Sequence, residues 1–235
     1  MKAVQELRPI PAGPVSLEAD ITVPETSPGI VLFAHGSGSS RLSPRNRAVA
    51  HQLHTAELGT VLVDLLTQNE ARRDAVTAEF RFNIGLLADR LTAITDWLAE
   101  HDTTSGRGIG LFGASTGAAA ALFTAAARPV WVQAVVSRGG RPDLAGDVLR
   151  LVHQPTLLIV GERDHDVLDF NNLAMAKLGG PSRLEIVPRA THLFEEPGAL
   201  DLVAKLATDW FVQHLKPLPR PEHQPGSTND KPTAR

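Results

Sequence analysis

Gly108-Ile-Gly-Leu-Phe-Gly-Ala-Ser-Thr-Gly-Ala-Ala-Ala-Ala-Leu122 decides how this chain is read. The apolar run from Ile109 to Phe112 has the length and composition of a buried strand. The small residues after Thr116 have high helix propensity. Between them stands Gly113-Ala-Ser-Thr-Gly117, a G-x-S-x-G pattern. A chain that passes directly from strand to helix must turn sharply, and the apex residue sits there in a strained conformation with its side chain exposed. The two glycines remove side chains that would collide with the neighbouring strand and helix. Ser115 at the apex is therefore a candidate nucleophile. The pattern alone is weak, because a glycine-rich connection without function looks the same. It needs a base, an acid and an oxyanion hole in compatible places.

The surrounding sequence supplies a frame for them. Val15 to Val23 alternates apolar and polar residues and stops at Pro24, as a half-exposed antiparallel strand does. Gly29 to Ala34 and Thr60 to Asp64 are continuous apolar runs, as expected of strands buried on both faces of a parallel sheet. Between them, Ser43-Pro44 reads as an N-cap followed by proline at the first helical position. That helix is expected to run to about Leu58, closed by Gly59. Residues 65–79 are polar and read as an excursion above the sheet. Ile84, Leu87, Leu91, Ile94 and Leu98 recur at helical spacing and predict a helix over 82–100. Further strands are expected over 108–112, 130–136, 156–160 and 183–187. Helices are expected over 116–127, 168–178 and 200–214. Alternating strands and helices imply a doubly wound, mostly parallel α/β sheet. Residues 1–215 read as one such domain, and the proline-punctuated segment 216–235 reads as a disordered tail.

Composition narrows the function classes. With 235 residues, 43% of them apolar, the chain can bury a substantial core. A net charge of −3 leaves no electrostatic footprint for nucleic acid. The absence of cysteine excludes a disulfide framework, a thiolate nucleophile and cysteine metal sites. No His/Asp/Glu spacing suggests a metal, and no cofactor motif is read. The charged, proline-containing N-terminus does not resemble a signal peptide, and no apolar stretch is long enough to span a bilayer. A soluble cytoplasmic protein acting on a small molecule is the expectation, with no nucleic-acid or membrane partner.

Ligands on open α/β sheets bind beyond the carboxyl ends of the strands. His35, Asp64, Ser115, Arg138, Asp164 and His192 all fall there. A serine hydroxyl needs a histidine to take its proton, and the histidine needs a carboxylate to fix its tautomer. Ser115, Asp164 and His192 follow in the order nucleophile, acid, base. Taken singly, Asp164 is an ordinary turn residue and His192 an ordinary loop residue; their joint placement at strand ends is what favours catalysis. Glu162, Asp166 and Asp143 are rival acids. His165 is a weak rival base, too near Asp164 to complete a separated triad. The oxyanion hole is expected from the backbone N–H of Thr116 and of Ser37, with Gly38 the second choice. His35, Arg41, Arg81 and Arg138, with Arg45, are candidates to line the substrate mouth; surface ion pairing is an equal alternative for the arginines. Gly36-Ser-Gly-Ser-Ser-Arg41 lacks the ending of a phosphate-binding loop. The run Gly108-x-Gly-x-x-Gly113 places its first glycine before the strand, where a dinucleotide fingerprint needs it after.

Ala34-His-Gly-Ser-Gly-Ser-Ser-Arg41, Asp64-Leu-Leu-Thr67, the nucleophile elbow Gly113-Ala-Ser-Thr-Gly117, Ser137-Arg-Gly-Gly-Arg-Pro-Asp-Leu144 and Ala190-Thr-His-Leu-Phe-Glu-Glu-Pro-Gly198 together resemble the α/β-hydrolase superfamily. The resemblance covers residues 15 to about 215. It is to the dienelactone-hydrolase-like branch, whose esterase-like domains also occur fused to phosphoribosyltransferases. It implies a three-layer α/β/α fold with little or no lid, and Ser115, Asp164 and His192 as triad. Dienelactone hydrolases carry cysteine at the elbow; serine here favours ordinary esters. The implied activity is that of a serine carboxylesterase on short-chain esters. Thioesterase, lactone hydrolase or peptidase chemistry on the same triad, or a non-catalytic ligand binder, are the alternatives.

Overall fold

The computed structural model describes residues 2–219. Eight strands form one sheet: β1 (Ala3–Ala12), β2 (Val15–Pro24), β3 (Gly29–Ala34), β4 (Gly59–Val63), β5 (Gly108–Ala114), β6 (Val132–Arg138), β7 (Thr156–Gly161) and β8 (Ser182–Val187). Their spatial order is β1-β2-β4-β3-β5-β6-β7-β8. β1 and β2 are antiparallel to their neighbours, and every pairing from β4 onward is parallel. This is the expected mostly parallel sheet of a three-layer α/β/α fold. β3, β4, β5 and β7 are buried along their whole length, which is why they read as unbroken apolar runs.

Six α-helices cover the two faces: α1 (Pro44–Thr55), α2 (Gln68–Thr77), α3 (Ile84–Glu100), α4 (Thr116–Ala127), α5 (His165–Met175) and α6 (Ala199–His214). On one face Leu87, Leu91, Ile94 and Leu98 of α3 pack with the alanine-rich α4 against Ile30, Leu32 and Leu111. On the other, Val49 and Leu53 of α1 and Val203, Ala207 and Phe211 of α6 pack on Val31, Phe33, Phe112 and Val136. A 3₁₀ segment, Pro142–Leu151, follows β6. No helix of the described residues is long and apolar enough to cross a membrane.

Three expectations need correction. α1 ends at Thr55, not at 58, and Gly59 opens β4 instead of closing the helix. Glu57 takes the left-handed position (φ 58°). The N–H of Leu58 then donates to the Leu53 carbonyl and that of Glu57 to the His54 carbonyl, a Schellman closure without glycine. α5 begins at His165, three residues early, which puts Asp164 at its N-cap. The polar excursion contains α2, and Thr67 with Glu70 forms a capping box at its start.

β1 went unread because Pro9 and Pro11 look like strand breakers. β1 is an edge strand, paired with β2 on one side only. Prolines two apart place both missing donors on the same side, and the outer side of an edge strand owes no ladder bond. At the other terminus, the Gly108 N–H donates to the Lys216 carbonyl and the Leu218 N–H to the Gly106 carbonyl. The rest of the proline-punctuated segment, 220–235, lies outside the described residues.

Candidate active site

Ser115 stands between β5 and α4 with φ 50° and ψ −122°. A non-glycine residue at positive φ is strained, and such strain concentrates at functional sites. The turn is tight because its glycines admit backbone where a side chain would be. A Cβ on Gly113 would lie 2.4 Å from Ala118 Cα, and one on Gly117 would lie 2.2 Å from the Ala34 carbonyl oxygen. Ser115 holds the N-cap position of α4, where serine is among the preferred capping residues, yet its side chain makes no capping bond. Its hydroxyl is therefore left to other partners.

The same holds for Asp164. It is the N-cap residue of α5, makes no side-chain capping bond, and turns its carboxylate to His192. Asp164 Oδ2 lies 2.6 Å from His192 Nδ1. That contact assigns the proton on a neutral ring to Nδ1 and leaves Nε2 as the acceptor. The Asp164 side chain is 13% exposed and the His192 side chain 40%, so the carboxylate is sheltered while the ring stays open to a reactant. Ser115 and His192 border the same turn after β6. The Ser115 N–H donates to the Arg138 carbonyl at 3.4 Å. A Cβ on the next residue, Gly139, would lie 3.6 Å from His192 Cε1. The rival acid Asp143 is engaged by both Nε and Nη2 of Arg141, at 2.8 and 2.7 Å. Glu162 accepts from the Arg189 N–H.

The loop after β3 lies against the elbow. A Cβ on Gly36 would fall 2.9 Å from Ser115 Cβ. Ser37 Oγ is 3.2 Å from Thr116 Oγ1, which brings the two residues expected to supply oxyanion donors side by side. Thr116 is the first residue of α4, and the first N–H groups of a helix have no intrahelical acceptor. Gly38 takes φ 66° in the turn closed by the Ser39 N–H on the Gly36 carbonyl. His35 is buried beneath this loop. Its Nε2 accepts from the Leu65 N–H at 2.9 Å and its Nδ1 donates to the Gly36 carbonyl at 2.9 Å. Burial pushes its pKa below the ordinary histidine value, against the Gly36 bond and the Asp64 charge that favour protonation. His35 thus works as a neutral strut between β3 and β4.

The arginines divide. Arg41 donates from its backbone N–H and from Nη1 to Asp64, at 2.7 and 2.5 Å, and from Nε to Asp20 at 3.2 Å. Arg81 donates from its backbone N–H and from Nε to Asp74, at 2.9 and 2.8 Å. Both guanidinium groups are engaged by carboxylates, the ion-pairing role that sequence left open for them. Arg45 Nη1 lies 3.5 Å from Glu195. Arg138 differs: it is 8% exposed, and its Nε and Nη1 are buried with no hydrogen-bond partner among the described residues. Beside the elbow, a cleft of about 220 Å3 runs between the 36–40 loop and α2. Thr116 and Ser37 line it together with Leu65, Leu66, Ala71 and Ala75. Among the described residues, no group of three or more His, Asp or Glu side chains is placed to hold a metal ion.

With this arrangement in view, likeness to known proteins is informative. A solved dienelactone hydrolase of Anabaena variabilis is 53% identical, with a TM-score of 0.88, over 92% of this chain and 100% of that one. The chain belongs to the dienelactone-hydrolase-like α/β-hydrolases. Est1E of Butyrivibrio proteoclasticus (14% identical, TM-score 0.73, 88% of this chain and 98% of that one) shares the fold. Two curated proteins from strains of Mycobacterium tuberculosis, each carrying a phosphoribosyl transferase name, are 58% identical over 204 residues, 87% of this chain. The chain spans about half the length of these curated relatives, 45%. No protein-family model matches it.

Within this hydrolase family member, sequence reasoning missed the α2 residues that line the cleft. The Thr67-x-x-Glu70 capping box was the signal that could have placed that helix, and Ala71 and Ala75 one turn apart on its face.

Proposed function

We propose that this protein is a serine hydrolase of small carboxylic esters, with Ser115 as nucleophile, His192 as base and Asp164 as its orienting acid. The observation that carries the reading is Asp164. Placed where aspartate would ordinarily cap a helix, it leaves the cap unmade and holds His192 Nδ1.

In this reading His192 Nε2 takes the Ser115 hydroxyl proton as Oγ attacks the ester carbonyl carbon. The carbonyl oxygen becomes an oxyanion held by the backbone N–H groups of Thr116 and Ser37. Collapse breaks the bond to the leaving oxygen, which receives the proton from His192. Water, deprotonated by His192, then attacks the acyl carbon, and Ser115 leaves with the proton. A cyclic ester would pass through the same steps, and the Anabaena variabilis relative's name keeps lactones within the substrate class. The transferase name of the Mycobacterium tuberculosis relatives belongs to proteins about twice as long, and we assign the ester chemistry to the part matched here.

The test is labelling by a fluorophosphonate probe together with turnover of p-nitrophenyl acetate, for the wild type and Ser115→Ala. Labelling and turnover that vanish in Ser115→Ala are expected. An unlabelled, inactive wild type overturns the proposal.

A further inference from the structure

We propose that the cleft between the 36–40 loop and α2 is the acyl-group subsite, and that it takes a compact, uncharged hydrocarbon acyl chain. The inference rests on the serine hydrolase reading and gives it a substrate class.

The assignment to the acyl side follows from which catalytic residues the cleft touches. Thr116 and Ser37, beside the elbow, are in its lining, while neither Ser115 nor His192 is part of its wall. The leaving oxygen must lie within reach of His192 to receive a proton. A group seated beside the oxyanion donors and away from His192 is therefore the part that stays on the serine.

The class follows from the wall. Leu65, Leu66, Ala71, Ala75 and Leu87 supply apolar surface. The charged side chains in the lining are Asp64, Asp74 and Arg81, and each is engaged. Asp64 is held by Arg41, and Asp74 by Arg81. A carboxylate on the acyl chain would meet two anions and one cation already paired with one of them, and would exchange its hydration for neutral donors such as Gln68, Ser39 and Ser40. A hydrocarbon chain would lose only water. The size follows from volume: an apolar cavity of about 150 Å3 holds a benzene molecule, so about 220 Å3 has room for one ring or a short branched chain and little more.

Residues four apart on a helix share a face, and Ala71 and Ala75 both turn to the cleft. Their methyl groups leave it open. α2 is fixed over it by clamps at both ends. Arg90 donates from Nη1 and Nη2 to Glu70 at 2.9 and 2.6 Å, and the Arg81 and Phe80 N–H groups donate to Asp74. A larger residue at 71 or 75 therefore fills the cleft instead of displacing the helix. Both alanines are exposed, so the fold does not depend on their size.

The experiment compares kcat/KM for the p-nitrophenyl acetate, butyrate and hemiglutarate esters in wild type, Ala71→Phe and Ala75→Phe, with fluorophosphonate labelling of each. Wild type is expected to prefer butyrate to acetate, and to turn over hemiglutarate at least tenfold more slowly than butyrate. At least one of the variants is expected to lower the ratio of butyrate to acetate kcat/KM about tenfold. Labelled variants whose preference among the esters is unchanged overturn the subsite and leave the hydrolase reading intact. So does a wild type that favours hemiglutarate. A wild type that neither labels nor turns over any ester overturns both.

Discussion

Asp164 Oδ2 and His192 Nδ1 are 2.6 Å apart, although Asp164 occupies the N-cap of a helix. The pairing matters more to the tautomer of His192 than to its position. Asparagine at 164 can still reach Nδ1 but can present its N–H₂ there, which would move the ring proton to Nε2 and remove the base. Asp164→Asn is expected to lower kcat by about 10³- to 10⁴-fold, as tautomer reversal does in serine triads. Asp143→Asn is expected to leave kcat within about threefold, because Asp143 serves Arg141. Steady-state kinetics on p-nitrophenyl acetate check both, and equal losses would shift the acid role away from Asp164.

Gly117 sets the distance between the elbow and the end of β3. A Cβ there would stand 2.2 Å from the Ala34 carbonyl oxygen and 2.6 Å from that of His35, both backbone atoms at the end of β3. Neither can swing aside as a side-chain tip would. Gly117→Ala is expected to destabilise the protein by about 2–4 kcal/mol, through forced separation of α4 from β3. Gly13→Ala is the control: φ is +69° but the site is open, so backbone strain alone costs about 1 kcal/mol. Denaturant midpoints of the two variants should differ accordingly, and a Gly117→Ala protein as stable as Gly13→Ala would contradict the packing argument.

Where burial dictated residue type, sequence and structure agree. The central strands read correctly because strands covered on both faces tolerate little but apolar residues, and α3 because its single buried face repeats at helical spacing. Ser115, Asp164 and His192 stand out in sequence because doubly wound sheets gather reactive groups at strand ends, and the fold brings Asp164 onto His192. What could not be read depended on partners distant in sequence. Pro9 and Pro11 are compatible with a strand only because β1 is an edge, and sequence does not say which strand is outermost. The capping box at Thr67 and Glu70 was readable, but α2 has a polar surface almost all round, and what holds it over the cleft, Arg90 on Glu70 and Arg81 on Asp74, are contacts made across 20 and 7 residues. Arg41, Arg81 and Arg138 looked alike in sequence. Only folding separates the two that meet carboxylates from the one that does not.

His35 ties the 36–40 loop to β4 only while it is neutral, since Nε2 must accept the Leu65 N–H. Burial lowers its pKa below the value of about 6.5 that it regains on unfolding. Between those two values the unfolded chain binds more protons than the folded one, so stability rises with pH across that window. It is fully present above about pH 6.5 and falls as the pH drops toward the folded value. The slope for one group is at most about 1.4 kcal/mol per pH unit. His35→Gln, which cannot titrate, is expected to show a shallower fall. Urea midpoints from pH 7.5 to 5.0 in both proteins check it, and parallel curves would remove His35 as the source.

Arg138 carries the opposite kind of cost. Burial, with the like charge of Arg45, pushes its pKa down to about 10, so its charge is held at neutral pH against an unfavourable environment. Because the folded value lies below the unfolded one, the charge weakens the fold at every pH below about 10. A buried cation without a partner is worse than an apolar group of similar volume. Arg138→Met is therefore expected to raise stability by about 1–3 kcal/mol, with a higher Tm. Turnover of p-nitrophenyl acetate, whose acyl and leaving groups are uncharged, should stay within about threefold. A stabilised variant with unchanged acetate turnover marks Arg138 as a tolerated charge next to the site. A variant that is no more stable, or that loses acetate turnover by a hundredfold, would show that the guanidinium finds its compensation in the reacting ester, and that expectation would fall.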